Sequence, residues 1–125
     1  MGWNVVDSHR ACGDLDGYRA YVESSKAEWS VAKGGYVAVR SGWFSGRSAA
    51  YLAAGRPVVV QDTGFGAVLP TGEGIVPFAN ADEAVAAIED VEARYDVHAR
   101  AAREIAGEYF DSDKVLTRLV EEATA

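Results

Sequence analysis

The stretch Ser45-Gly46-Arg47-Ser48-Ala49-Ala50-Tyr51-Leu52-Ala53-Ala54-Gly55-Arg56-Pro57-Val58-Val59-Val60 decides how this chain is read. Ser45 is a residue of the kind that caps helices, because its hydroxyl can accept a free backbone N–H of the first turn. Gly55 suits the left-handed position just past a helix end, and Pro57 cannot continue a helix. Residues Gly46 to Ala54 are therefore predicted to be helical. The small side chains of Ala49, Ala50, Ala53 and Ala54 let this helix lie close against a sheet. Val58-Val59-Val60 follows at once, and so unbroken an apolar run predicts a strand buried on both faces, as in parallel sheets.

Toward the C-terminus, residues 62–74 carry Gly64, Gly66, Pro70, Gly72 and Gly74 and read as a loop. Ile75-Val76-Pro77-Phe78 reads as a last strand, and its proline places it at or near a sheet edge. Asn80 followed by Glu83 is a capping-box signature, and Val85, Ile88, Val91 and Tyr95 then recur at helical spacing. A further helix is expected from about Val97 to Phe110, with Ala101, Ile105 and Tyr109 on one face. Asp111 or Ser112 caps a third, with Val115, Leu116, Leu119 and Val120 expected to face inward.

Toward the N-terminus, Trp29-Ser30-Val31-Ala32 reads as a strand. Lys33-Gly34-Gly35 leads into Tyr36-Val37-Ala38-Val39, which is strand-like or an extended loop. Asp16 is placed to cap a short helix over about Gly17 to Ser25, and Asp7 to Gly17 has the punctuation of a loop. Trp3 to Val6 reads as a buried strand. Strands alternating with helices give an α/β class: an open parallel sheet of about four strands, flanking helices and a C-terminal helical run.

The length of 125 residues suits one domain. Apolar runs are short, and the N-terminus lacks a basic region followed by an apolar stretch, so the expectation is a cytoplasmic chain without a membrane span. Cys12 is the only cysteine, which excludes a disulfide scaffold and cysteine-based metal sites. The formal charge of −7 argues against nucleic acid as a partner. That charge is unevenly spread. All 19 acidic residues lie outside residues 29–61, a window that carries Lys33, Arg40, Arg47 and Arg56. A local anion site on an acidic protein produces this pattern, because nearby carboxylates repel a phosphate.

The segment Arg40-Ser41-Gly42-Trp43-Phe44-Ser45-Gly46-Arg47-Ser48 enters the front of the small-residue helix. A helix N-terminus offers free N–H groups and partial positive charge to a phosphate oxygen. Gly42 and Gly46 allow close backbone approach, Ser45 and Ser48 add hydroxyls, Arg47 adds charge, and Trp43 and Phe44 offer faces for a base or sugar. Asp62-Thr63-Gly64 follows the buried strand, at the sheet edge where α/β folds bind ligands and where polar side chains can hold hydroxyls. Neither a P-loop nor a dinucleotide fingerprint is present. His9 and His98 have no partner at metal or triad spacing, so no metal site and no catalytic residue is assigned. Glu89-Asp90 and Glu121-Glu122 read as solvated helix faces.

In order and spacing these pieces resemble the C-terminal domain of two-domain GT-B glycosyltransferases, from about Trp3 to the C-terminus. Ala54-Gly55-Arg56-Pro57-Val58-Val59 is similar to that family's helix-to-strand junction, and Asp62-Thr63-Gly64 to the loop that follows it. Gly72-Glu73-Gly74-Ile75-Val76-Pro77-Phe78 resembles its next strand, Asp82-Glu83-Ala84 its next helix start, and Tyr109-Phe110-Asp111-Ser112 its terminal helix entry. The resemblance implies a Rossmann-like half of the fold that binds a nucleotide-diphosphate-sugar donor and needs no other cofactor. Diphosphate contacts would map to Ser45, Gly46, Arg47 and Ser48, and sugar contacts to Asp62, Thr63 and Gly64. Many retaining members carry two glutamates eight residues apart before the junction. The corresponding places here are Gly42 and Ala50, so no stereochemical outcome carries over.

The resemblance also implies an acceptor-binding N-terminal domain as partner, without which this chain is inactive, and it implies that the donor domain's own first strands are missing. In the strand order 3-2-1-4-5-6 this loss would leave Trp3–Val6 separated from Glu28–Ala32, so the first strand moves in beside the second or another copy fills the gap as a homodimer. The competing readings are a relic or interaction module that keeps the fold without ligand, and a small α/β ligand-binding protein outside sugar transfer.

Overall fold

The computed structural model describes residues 2–125. Its elements in chain order are α1 (Ser8–Ala11), α2 (Leu15–Ser24), β1 (Glu28–Ser30), α3 (Gly34–Ala38), α4 (Gly46–Ala53), β2 (Val58–Gln61), a 3-10 turn at Phe65–Ala67, β3 (Ile75–Phe78), α5 (Ala81–Ala93), α6 (Tyr95–Tyr109) and α7 (Ser112–Thr124). The three strands are parallel and ordered β1-β2-β3. Glu28, Trp29 and Ser30 pair with Val58, Val59 and Val60, and these pair in turn with Ile75, Val76 and Pro77.

The valine run works as its sequence implies. Val58 and Val60 face one layer, where they meet Leu52 of α4, Val22 of α2, and Ala102, Ile105 and Ala106 of α6. Val59 faces the other layer with Phe78 and with Ala84, Ala87 and Val91 of α5. Leu52 is fully buried, and burying such a side chain stabilises by ~1.5–3 kcal/mol. The α4 caps are those expected. Ser45 Oγ accepts from Arg47 N at 3.1 Å, and Gly55 takes the left-handed conformation past the end. Asn80 and Glu83 likewise cap α5, with Glu83 N donating to Asn80 Oδ1. Pro77 sits on the edge strand β3.

The α/β class and open parallel sheet are as read, but five local readings change. Trp3–Val6 is not a strand and is not buried: Trp3 and Val5 are exposed, and Trp3 instead stacks its ring on Trp29 at 5.9 Å. A strand exists only where a neighbour accepts its ladder, and this segment pairs with none of the described strands. Tyr36–Val39, despite its β-favouring side chains, contributes to helix α3, where Tyr36 N and Val37 N donate to Lys33 O. Among the described residues no strand stands beside it beyond the end of β1, and one helical turn satisfies its backbone locally. The Asp7–Gly17 loop contains α1, and α2 begins at Leu15 with Asp14 as its cap in place of Asp16. Val115, Leu116, Leu119 and Val120 of α7 are exposed, because none of the described residues packs over their stripe. β1 is also shorter than expected: Ala32 N leaves the ladder and donates to Gln61 Oε1 at 3.1 Å.

Candidate ligand-binding site

Both strand ends β1 and β2 open onto one cavity of about 380 Å³, as an open parallel sheet requires at its carboxyl edge. Ser30, Val31, Ala32 and Lys33 form its β1 side, and Val60 and Gln61 its β2 side. Tyr36, Trp43 and Phe44 form one wall, and Ser45, Arg47 and Ser48 bring the front of α4. Lys33 and Arg47 are its cations, and none of the lining side chains is a carboxylate.

Of the residues expected at the ligand, Trp43, Phe44, Ser45, Arg47 and Ser48 line this space. Gly46 is exposed beside them, with open space where a Cβ would stand. Trp43 is half-exposed and stacks on Tyr36 at 5.0 Å, and Lys33 Nζ lies 6.0 Å from the centre of the Tyr36 ring. Phe44 is turned inward, edge-on to Phe65 at 5.4 Å and stacked on Phe110 at 5.6 Å. It wedges the loop to the core and shares the cavity wall with the more exposed Trp43 and with Tyr36.

The other expected residues lie outside this lining and build the support beneath it. Gly42 N donates to Thr63 O at 2.8 Å, and the buried Thr63 hydroxyl returns a bond to Trp43 O at 2.7 Å. Ser41 Oγ accepts from Trp43 N and donates to Tyr36 O. Arg40 takes a left-handed backbone conformation (φ 49°), which is uncommon for a residue other than glycine, and its Nη1 meets Asp62 Oδ2 at 3.0 Å. The second Asp62 oxygen accepts from Gly64 N at 2.8 Å. The Gly64 N–H, and then Arg40, hold the Asp62 carboxyl below its ordinary range. Asp62, Thr63 and Gly64 are thus already engaged in tying two loops together.

Sequence reasoning placed Lys33 to Ser48 and Gln61 to Gly66 at the carboxyl ends of the strands but did not assign Lys33, Tyr36 or Gln61 to the ligand, and all three line the cavity. It also missed Glu28, at the start of β1, whose Oε1 accepts from Arg47 Nε at 2.6 Å. At the opposite edge, where the strands begin, lies a different cluster. His98 is fully buried; its Nδ1 accepts from Gly74 N at 3.1 Å, so its proton sits on Nε2 and is donated to Asp90 Oδ2 at 2.9 Å. Arg94, and then His98, hold Asp90 well below the usual carboxylate range. This trio joins α5, α6 and the start of β3, with no place in the cavity.

A family model described as glycosyl transferase-like matches residues 2–121. The chain belongs to that family. No curated protein and no solved structure matches it. In this glycosyl transferase-like domain, an open three-stranded parallel sheet carries the cationic cavity at its carboxyl edge. Among the described residues, no helix is long and apolar enough to cross a membrane.

Proposed function

We propose that the cavity holds the diphosphate of a nucleotide-diphosphate-sugar donor, and that the chain acts in sugar transfer together with an acceptor-binding domain. The observation that carries this reading is the pairing of Lys33 and Arg47 with the front of α4 in a space whose lining has no carboxylate. Such a space suits a doubly charged pyrophosphate, which helix N–H groups and cations attract and carboxylates repel. The diphosphate lies against Ser45, Gly46, Arg47 and Ser48. The base or ribose meets the exposed part of Trp43, and the sugar extends past Gln61 toward the 62–64 loop. Among the described residues the outward edge of β1 has no strand beside it, and it is where further strands of a donor domain, or a second copy, would add.

Calorimetric titration with UDP, GDP and dTDP tests the reading. Saturable binding of at least one is expected, weakened about threefold to tenfold by Lys33→Ala, which removes one polar contact. The absence of any heat or thermal shift with every nucleotide diphosphate and nucleotide sugar tried would end it.

A further inference from the structure

Glu28 is an odd residue for its position. It stands on an edge strand of the sheet, yet only 4% of its side-chain surface is accessible, and the layer it faces is built from apolar side chains of α2, α4 and α6. A buried carboxylate is costly unless paired. Its one partner is Arg47, 19 residues away on α4, bonded through Nε alone. Among the described residues Glu28 Oε2 has no hydrogen-bond partner. Arginine–carboxylate pairs are frequently bidentate, the fork-to-fork arrangement adding both energy and geometric specificity. Here the contact is side-on. Nε is turned into the protein toward a buried oxygen, while the Arg47 side chain stays half-exposed and lines the cavity.

We propose that Glu28 is a positioning residue for anion binding: it holds Arg47 by Nε and so presents the two Nη groups to an anion in the cavity. The Nη fork is the end of arginine that matches two phosphate oxygens at once. A free arginine on the first turn of a helix would sample many rotamers, and ordering it at the moment of binding costs affinity. Glu28 removes that cost in advance. Its negative charge is screened from the ligand by the guanidinium it holds. This inference rests on the donor-site reading above and adds to it a residue from outside the cavity.

The test uses the whole chain with inorganic pyrophosphate and UDP as probes, and reads both affinity and the Arg47 Nε–H resonance. Glu28→Ala is expected to weaken pyrophosphate roughly tenfold, the loss typical of one charge-assisted bond, and to abolish the slowly exchanging Nε–H signal. Glu28→Gln keeps an oxygen that accepts from Nε; it is expected to preserve that signal and to bind within about threefold of the native chain. In Arg47→Lys, which has no Nε–H to hold, Glu28→Ala should cause no further loss. Wild-type binding unchanged in Glu28→Ala, or a Glu28→Gln loss as large as the Arg47→Lys loss, overturns the inference alone. Failure of the native chain to bind either probe overturns the donor site itself. If Glu28→Ala does not fold, the comparison of Glu28→Gln with Arg47→Lys and the Nε–H signal of Glu28→Gln still decide.

Discussion

The two edges of the sheet use similar ingredients to opposite ends. At the edge where the strands begin, a buried His98 has a bond at each ring nitrogen, to Gly74 N and to Asp90. At the edge where the strands finish, Arg47 borders an open cavity, and the buried Glu28 that reaches it from the start of β1 has one oxygen bonded and one orphaned. At the first edge the ring nitrogens of His98 are both satisfied and backbone packs on backbone, and among the described residues the buried Arg56 Nε is left without a partner away from any open cavity wall. The second is left open, and its arginine meets space that a ligand can enter. Buried polar groups in folded proteins are nearly always paired, so an orphan behind a cavity points to function where a closed trio points to stability.

The largest expected effect comes from breaking the closed edge. Gly74 has φ +77°, and a Cβ there would stand 2.7 Å from Ala102 N and 3.0 Å from Ala101 C. Both atoms are α6 backbone, which cannot move aside as a side-chain tip can. Gly74→Ala should therefore both strain the backbone and push β3 from α6, at a cost of about 3 kcal/mol or more. The same shift would pull Gly74 N away from His98. Urea unfolding monitored by far-UV circular dichroism measures the loss, and a midpoint unchanged from the native chain would show that the edge is looser than its geometry.

At the open edge the expected stability effect is smaller and depends on pH. Asp62 joins Arg40 to Gly64, and its folded carboxyl titrates below the ordinary value of 3.8. A depressed folded value gives stability that is complete above the ordinary value and is lost as pH falls through the lower folded one. Asp62→Asn should thus cost about 1 kcal/mol at neutral pH and nothing below the folded value. Unfolding free energies of the two proteins, measured from pH 7 to pH 2, should converge at the acid end. A gap that persists there would mean that the substituted amide disturbs the loop by shape rather than by charge.

This contrast also marks what the sequence made legible. The α4–β2 unit could be read because its signals are local: Ser45, Gly55 and Pro57 each act on their own few residues. That a cavity lies at the carboxyl ends of the strands agrees with the alternation of strands and helices, since open parallel sheets leave a crevice there. Trp3–Val6 could not be placed, because whether an apolar run becomes a strand depends on a neighbour that local sequence does not name. The roles of Asp62 and Phe44 were hidden for the same reason. Their chemistry suits a ligand, but Arg40 and Gly64 on one side, and Phe65 and Phe110 on the other, already occupy them. Glu28 was invisible altogether, because nothing in a strand's sequence reveals that its glutamate points inward to an arginine on a distant helix.

The smallest effect is expected outside both edges, and it separates pattern from packing. Leu52 on α4 and Leu119 on α7 both lie on the apolar stripe of an amphipathic helix. Leu52 is fully buried between α4, α6 and β2, and Leu119 is 59% exposed. Stability follows area removed from water, not the helical period that produced the stripe. Leu119→Ser should therefore change the unfolding free energy by less than about 0.5 kcal/mol, as surface substitutions do, where Leu52→Ala costs ~2–5 kcal/mol. A Leu119→Ser loss above about 1 kcal/mol, approaching the Leu52 range, would mean that α7 is covered in solution. Dependence of that loss on protein concentration would then identify the cover as a second copy of the chain, because only association makes stability vary with concentration.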